Sequence, residues 1–215
     1  MLFIFDWDGT LCDSTATITR AMQAAARDMG WEPLVDHEIH EIIGLGLPEA
    51  LMRLYPQVST LERQQLRDMY AQRFVEFDQA CPAEFFPHVR ATLDNLRQQG
   101  HILAVATGKS RRGLDRIFGV MGLSDYFHAT RCADETASKP NPLMLQQLLQ
   151  LFEVDANGAV MVGDTEYDMA MARSIQMPRI AVSYGAHHPD RLKTYNPELC
   201  LDQFSQLLEW PALRG

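Results

Sequence analysis

The sequence has little of what membrane-spanning, secreted and disulfide-bonded proteins need. None of its apolar runs approaches the roughly 20 residues that cross a bilayer. The first apolar run, residues 2–5, is too short for a signal peptide and has no basic residue before it. The four cysteines, Cys12, Cys81, Cys132 and Cys200, lie far apart and form no CxxC pair, which favours reduced thiols buried in a cytosolic protein. We therefore expect a cytoplasmic protein with no membrane partner.

Basic residues are also few relative to acidic ones. The 215 residues include 28 acidic and 19 basic residues, and the net charge is −9. This balance argues against nucleic acid or an anionic membrane as the main partner. An anionic small molecule stays compatible with it, because a local site can oppose the global charge. The hydrophobic content of 47% is typical of a globular protein with one large domain or two modest ones.

Two carboxylates follow the first apolar run directly. Residues 2–5 read LFIF, and Asp6 and Asp8 come next, followed by Gly9 and Thr10. A short apolar run ended by glycine predicts a fully buried strand. Two acids therefore stand where a strand gives way to a loop, which is where open α/β sheets place their chemistry.

The rest of the chain divides into a helical segment and an alternating segment. No strand pattern appears between residues 14 and 85, where the periodicity predicts helices over 14–29, 36–43, 47–55 and 61–77. From residue 85 onward, helices alternate with predicted strands over 101–106, 127–131, 159–162, 179–183 and 199–201, and a last helix covers 203–210. This alternation predicts an α/β fold with a doubly wound, mostly parallel sheet and an inserted all-helical unit.

The ends of parallel strands collect a second set of polar residues. Thr107 and Gly108 follow one predicted strand, Lys139 lies in a loop after the next, and Asp164 and Asp168 follow a third. Clustered carboxylates need a cation, and oxygen ligands without histidine or cysteine favour Mg²⁺. Carboxylates and Mg²⁺ together with a threonine hydroxyl, backbone N–H groups around a glycine and one lysine predict a phosphate-transfer site.

Four stretches in order resemble the motifs of the haloacid dehalogenase-like (HAD) superfamily. Residues 5–11 (FDWDGTL) resemble its DxDGT motif, residues 106–108 (ATG) its second motif, residues 138–140 (SKP) its third, and residues 162–168 (VGDTEYD) its GDxxxD motif. Each motif is weak alone, whereas the ordered set is highly specific and spans nearly the whole chain. The general pattern is similar to that of phosphoglycolate phosphatases.

The resemblance implies a Rossmann-like core, residues 1–13 and 86–215, and a type 1 helical cap domain, residues 14–85. The chain would cross between the two after Leu11 and again near residues 81–87. The resemblance also implies that the cap opens to admit substrate and closes to exclude water.

The resemblance also implies a role for each site residue. Asp6 would be the nucleophile that forms an aspartyl-phosphate and would also bind the metal. Asp8 would be the general acid and base, with its backbone carbonyl on Mg²⁺. Thr107 and Lys139 would bind the phosphoryl group, assisted by the backbone at Gly108. The remaining metal ligands would be Asp164 and, through water or by orienting the lysine, Asp168.

We therefore predict a Mg²⁺-dependent phosphatase that hydrolyses a small phosphorylated metabolite, with phosphoglycolate as the best single guess. A phosphomutase or a 2-haloacid dehalogenase on the same fold stays open, although a dehalogenase needs neither Asp8 nor Mg²⁺. A non-catalytic regulatory protein is a third alternative, yet no catalytic group is missing. The sequence predicts no oligomeric state.

Five further residues or segments receive an interpretation. Lys109 is interpreted as a loop residue and Ser110 as a helix N-cap. Arg53 is a weak candidate for reading a second anionic group of the substrate, and His187 is interpreted as an ordinary loop residue. The segment 44–47 (GLGL) is either a cap loop that reaches over the site or a simple turn between helices.

Overall fold

The structure is a computed structural model of the chain and describes residues 1–213. The six strands, in chain order, are β1 (Leu2–Phe5), β2 (Ile102–Thr107), β3 (Ala129–Cys132), β4 (Ala159–Gly163), β5 (Arg179–Val182) and β6 (Leu199–Leu201). They form one sheet in the order β3-β2-β1-β4-β5-β6, and every neighbouring pair is parallel. The predicted α/β fold with a doubly wound sheet is thereby confirmed.

Nine α-helices accompany the sheet within residues 1–213. They are α1 (Thr15–Asp28), α2 (Asp36–His40), α3 (Leu47–Leu54), α4 (Thr60–Ala80), α5 (Val89–Gln98), α6 (Arg111–Met121), α7 (Leu143–Phe152), α8 (Glu166–Ser174) and α9 (Pro189–Lys193). The prediction missed α9, whose five residues are too few to show a periodicity. The predicted helix over 203–210 is a 3₁₀ helix, Phe204–Glu209.

The apolar run of β1 is buried on both faces of the sheet. Phe3 and Phe5 pack on the face that α5 and α6 cover, whereas Leu2 and Ile4 pack on the opposite face with α7 and α8. Successive strand residues point to opposite faces, so a strand between two helical layers needs four apolar residues in a row.

The sheet order reverses direction at β1, which is the central feature that positions the site. From β1 the chain adds β2 and β3 on one side and then returns to add β4, β5 and β6 on the other. In register, Phe5 is opposite Val105 of β2 and Val162 of β4. A crevice opens outside the carboxyl ends of the strands at such a reversal, and open α/β sheets bind ligands there.

The helices α1 to α4 lie between β1 and β2 in the chain, and the two crossings to them are paired. The Asp13 N–H donates to the Glu84 carbonyl at 2.9 Å, and the Phe86 N–H donates to the Leu11 carbonyl at 3.0 Å. The crossings therefore run side by side as two extended segments. The domain boundaries given above stay predictions, and their last residues, 214 and 215, lie outside the described range.

Each helix in the described part of the chain is too short or too polar to cross a membrane.

Candidate active site

Asp6 follows β1 directly and is almost fully buried, with 1% of its surface exposed. Its Oδ1 accepts a hydrogen bond from the Trp7 N–H at 2.7 Å and lies 2.7 Å from the Lys139 Nζ. Its Oδ2 is buried and accepts no hydrogen bond from residues 1–213. A buried carboxylate oxygen without a partner is costly, so this oxygen is the atom of the site most in need of a cation or a reacting group.

Lys139 is one of the largest fully buried side chains of the protein. Its Nζ lies 2.7 Å from Asp6 Oδ1 and 2.7 Å from Asp168 Oδ1. Burial alone lowers the pKa of Lys139, but the charges of Asp168 and Asp6 outweigh it and hold the pKa above its usual value. The lysine is therefore a permanent buried cation between two acids.

Asp164 and Asp168 are held by the loop and helix that follow β4. Asp164 accepts hydrogen bonds from the Thr10 hydroxyl at 2.7 Å and from the Ala186 N–H at 2.8 Å. Asp168 Oδ2 accepts from both the N–H and the hydroxyl of Thr165, at 3.1 and 2.7 Å, and so caps the start of α8. These bonds fix both carboxylates in the crevice beside Asp6.

Gly9 permits this close approach of the first loop to the acids. Its φ is +77°, a backbone conformation that favours glycine. A Cβ at this position would lie 2.2 Å from Asp164 Oδ2. Any larger residue would therefore push the loop after β1 away from Asp164.

The three acids Asp6, Asp164 and Asp168 fit a divalent cation. One carboxylate oxygen from each lies within 4.8 Å of the others. With three negative charges and one lysine, the buried group carries an excess of two negative charges when all are ionised. The pKa of Asp6 stands well above its usual value and that of Asp164 rises to about 7, in both cases chiefly because of burial. An all-oxygen donor set with this excess charge matches the preference of Mg²⁺.

The carboxylate of Asp8 lies apart from this cluster. It pairs with Lys109, whose Nζ lies 2.9 Å from Asp8 Oδ1, and the same oxygen accepts a short hydrogen bond from the Ser14 hydroxyl. The predicted contact of Asp8 with the metal is through its backbone carbonyl, and that part stays a prediction. Proton transfer by the Asp8 side chain likewise stays a prediction.

Lys109 lies in the loop between β2 and α6, as predicted, but its surroundings give it more than a linking role. Only 11% of its side chain is exposed, it pairs with Asp8, and its Nζ lies 4.6 Å from the centre of the Phe74 ring of α4. Ser110 does cap α6, accepting a hydrogen bond from the Gly113 N–H. Since Lys109 comes two residues after the strand-end Thr107, its place in a loop at the site edge was the available signal.

Thr107 and Gly108 end β2 at the same edge of the sheet. Thr107 is fully buried, and its hydroxyl accepts a hydrogen bond from the Lys109 N–H at 3.2 Å. Gly108 lies beneath the cap loop, and a Cβ there would be 2.5 Å from the Leu45 carbonyl oxygen and 2.6 Å from that of Gly44. Phosphoryl binding by Thr107 and Gly108 stays a prediction, and the glycine also lets the cap loop approach.

The segment 44–47 therefore lies over the site edge. The Gly46 N–H donates to the Ser138 hydroxyl at 2.8 Å, next to Lys139. Arg53, the weak candidate for reading an anionic group, contacts the core instead, donating to the Tyr167 hydroxyl at 2.8 Å. Arg53 thus helps to join α3 to α8.

His187 is a second residue whose role the sequence did not indicate. It is 3% exposed, and its Nδ1 accepts a hydrogen bond from the Glu166 N–H at 3.1 Å, at the start of α8. Burial, and then the charge of Arg191, holds its pKa below the usual value. His187 therefore supports the helix that carries Asp168.

A cavity of about 790 Å³ lies next to Asp8, between the helices inserted after β1 and the loop and helix that follow β2. Gly108 and Lys109 line it from the core. Residues of α1, α3 and α4 line it from the other side, and most of them are apolar. The acids Asp6, Asp164 and Asp168 are outside its lining, so Asp8 is the only one of the four predicted site acids that borders the cavity.

Known proteins resemble this chain over nearly its whole length. A phosphoglycolate phosphatase of Vibrio parahaemolyticus is 28% identical, and the alignment covers 99% of this chain and 96% of that protein. The protein named "Probable phosphatase IndB" of Dickeya dadantii is 34% identical, with 96% of this chain and 91% of that protein covered.

Solved structures share the fold. A hydrolase of the haloacid dehalogenase-like family from Streptococcus pneumoniae superposes with a TM-score of 0.83 at 21% identity, covering 97% of each chain. A hydrolase from Pseudomonas syringae has a TM-score of 0.88 at 20% identity and covers 97% of this chain and 96% of its own. At these identities the likeness speaks for the fold alone.

The sequence model of the family described as "Haloacid dehalogenase-like hydrolase" matches residues 3–182. This match spans all the strand ends that carry the acids, the threonine and the lysine. The chain belongs to the haloacid dehalogenase-like hydrolase family.

Proposed function

We propose that this protein is a Mg²⁺-dependent phosphatase that hydrolyses a small phosphorylated metabolite through an aspartyl-phosphate on Asp6. That the chain is a phosphatase is supported directly by its family and by relatives named as phosphatases. The metal, the covalent intermediate and the class of substrate are the finer parts of the proposal. A cytoplasmic location and the absence of a nucleic-acid partner stay predictions.

The observation that carries the proposal is the buried Asp6 Oδ2 without a partner, beside a buried lysine and two further acids. Without a cation, burial raises the pKa of Asp6, and the charges of Asp168 and Asp164 add to this, whereas Lys139 lowers it. Bound Mg²⁺ would supply positive charge that ionises the acids and offsets the charge on the phosphoryl oxygens. Asp6, Asp164 and Asp168 are the side chains that would hold it.

In the first step, an oxygen of Asp6 attacks phosphorus and the bond from phosphorus to the leaving oxygen breaks. Lys139 and the Thr107 hydroxyl hold the phosphoryl oxygens. Asp8 donates its proton to the leaving oxygen, so that a neutral alcohol departs. In the second step, Asp8 takes a proton from water, the water oxygen attacks phosphorus, and Asp6 is released together with inorganic phosphate.

The division of roles between the two acids rests on their surroundings. Asp6 is 1% exposed and faces the cluster, whereas Asp8 is 7% exposed and borders the cavity. A proton donor has to reach the leaving group, and Asp8 is the acid that borders space for one. The reaction of a 2-haloacid dehalogenase would use neither Asp8 nor the cluster of acids. A phosphomutase would differ in how the cap protects the aspartyl-phosphate from water.

The nucleophile is tested by Asp6→Asn, with the exposed Asp13→Asn as the matched control. We expect Asp6→Asn to lower kcat/KM for phenyl phosphate by about a thousandfold or more, because the covalent step is lost. Asp13→Asn should keep the activity of the parent protein. If Asp6→Asn retains a tenth of the activity, the aspartyl-phosphate mechanism is wrong.

The metal is tested by thermal unfolding as well as by activity. Mg²⁺ should raise the Tm of the parent protein, because a ligand that binds only the folded state stabilises it. Asp164→Asn should weaken this shift, and the exposed Asp125→Asn should keep it. EDTA should abolish hydrolysis and Mg²⁺ should restore it. Activity that survives EDTA would contradict the metal and favour the dehalogenase-like alternative.

A further inference from the structure

The cavity next to Asp8 is where the leaving group of the substrate has to lie. Asp8 protonates the leaving oxygen in the proposed reaction, and its side chain is part of the cavity lining, whereas Asp6 and Lys139 are not. The phosphoryl group would therefore sit toward Asp6 and the remainder of the substrate would extend from Asp8 into the cavity. The side chains that line the cavity therefore indicate which kind of leaving group it can bind.

The walls facing Asp8 are predominantly apolar. Ile18 and Met22 of α1, Ile43 after α2, and Phe74 and Val75 of α4 all line the cavity. The Tyr70 hydroxyl, also in the lining, makes no hydrogen bond within residues 1–213 and offers one polar contact. Such a wall binds apolar surface and gives a second charged group of the substrate little to pair with.

The charged residues of the lining do not favour an anionic leaving group. Lys109 is paired with Asp8, and Arg116 is paired with Asp78 at 2.7 Å. Arg112, the remaining cation of the lining in the described chain, is exposed to solvent, where screening weakens ion pairs. Two acids, Asp68 and Glu76, line the cavity as well. Each is paired with an arginine of α4, Arg67 and Arg73, so neither arginine offers a free cation to a carboxylate.

The size of the cavity also exceeds the need of a very small substrate. Its volume is about 790 Å³, whereas pockets of about 300–1,000 Å³ enclose drug-sized ligands. A two-carbon acid such as glycolate would leave most of this apolar surface in contact with water.

We propose that the cavity selects phosphomonoesters whose leaving group is uncharged, mainly apolar and larger than a two-carbon acid. This inference rests on the proposed phosphatase function and narrows its substrate class. It departs from phosphoglycolate, the substrate in the names of several relatives.

The test compares phosphate esters that differ only in the leaving group. Methyl, butyl and hexyl phosphate form one series, and butyl phosphate is matched with 4-phosphooxybutanoate, which adds a terminal carboxylate. We expect kcat/KM with Mg²⁺ to rise roughly three- to fourfold for each methylene that becomes buried. Butyl phosphate should exceed both 4-phosphooxybutanoate and phosphoglycolate. Calorimetric binding of the same esters to Asp6→Asn should show the same order.

A matched pair of variants tests whether the cavity disfavours a carboxylate on the leaving group because it has no free cation. Ala71 of α4 lines the cavity and is exposed, so a longer side chain fits without disturbing the core. Ala71→Arg should raise the ratio of kcat/KM for 4-phosphooxybutanoate to kcat/KM for butyl phosphate about 1.4- to fivefold over Ala71→Gln, because an exposed ion pair contributes about 0.2–1 kcal/mol.

Two results would overturn the inference. The first leaves the proposed phosphatase function intact, and the second contradicts that function as well. If phosphoglycolate or 4-phosphooxybutanoate has the higher kcat/KM and binds Asp6→Asn more tightly, the apolar class is wrong and the phosphatase function stands. If the protein hydrolyses none of these esters and binds none of them, both the function and the inference are wrong.

Discussion

The two ends of the crevice use opposite means of recognition. The proposed phosphoryl end comprises buried charged groups and one hydroxyl at the edge of the sheet, carried by strand ends, a loop and the start of α8: Asp6, Thr107, Lys139, Asp164 and Asp168. The proposed leaving-group end is the cavity beside Asp8, with mainly apolar walls that helices provide. The charged groups of the polar end need fixed partners, since a buried charge without one is costly. The apolar end needs only a ligand whose shape fits the cavity. In the proposed function, the first end would carry out the reaction and the second would select the group attached to the phosphate.

The largest difference between the two ends should appear when each loses its lysine. Lys139→Met leaves Asp6 and Asp168 buried without their cation and should lower the free energy of unfolding by about 3–5 kcal/mol and kcat/KM by more than about a hundredfold. Lys109→Met removes the partner of Asp8 at the border of the cavity and should cost about 1–3 kcal/mol. Urea unfolding and steady-state kinetics with butyl phosphate measure both. If the two variants lose the same free energy of unfolding and the same kcat/KM, the proposed difference between the two ends is wrong.

An intermediate loss of activity is expected when the contact between segment 44–47 and Gly108 is disturbed. In Gly108→Ala the new Cβ meets the carbonyl oxygens of Gly44 and Leu45, so the loop has to move away from the site. We expect kcat/KM to fall roughly ten- to a hundredfold, as misplacement by about an ångström does. Unchanged kinetics would show that the position of this loop is irrelevant to either end.

The control for that variant lies in the following helix. A Cβ at Gly119 of α6 meets no atom within 4 Å. Gly119→Ala should therefore keep the activity and stabilise the protein by roughly 0.5–1 kcal/mol, because alanine favours a helix over glycine.

The smallest effect concerns pH and the support of the phosphoryl end. Burial holds the pKa of His187 below its usual 6.5, so the unfolded chain binds the proton more readily than the folded one. His187 should therefore cost no stability at high pH and lower it as pH falls through 6.5 toward the folded pKa. Arg191 opposes protonation, and Glu41, Glu166 and Asp168 favour it without restoring the usual value.

The measurement compares the parent protein with His187→Asn, whose amide oxygen can still accept the Glu166 N–H. The free energy of unfolding of the parent should fall relative to that of the variant between about pH 8 and about pH 5. Parallel pH profiles would show that His187 does not titrate differently on folding.

Most residues of the phosphoryl end could be predicted from the sequence because they directly follow strands. A buried strand is recognisable from a run such as residues 2–5, and the residue after it has to lie at the carboxyl edge of a parallel sheet. Asp6, Thr107 and Asp164 are all placed in this way, so topology alone brings them together. The ligand, nucleophile and phosphate-binding roles assigned to them stay predictions.

Residues that depend on packing between helices escaped prediction. Lys109 is predicted only as a loop residue, and its contacts with Asp8 and Phe74 appear only in the structure. Arg53 reads as a candidate reader of substrate until its bond to Tyr167 places it elsewhere. His187 reads as a loop residue until its burial is known. In each case the direction of one side chain decides the role, and no periodicity along the chain encodes it.

The sequence by itself determined the family, the parallel sheet and the identity of the residues at its edge, because local apolar patterns and strand-end positions carry that information. Only the tertiary structure decided the pairing of Asp8 with Lys109, the unpartnered oxygen of Asp6, and the apolar cavity beside them. The cavity arises where α1, α3, α4 and α6 meet from distant parts of the chain, and the space left between packed helices follows from the shape and placement of all of them together.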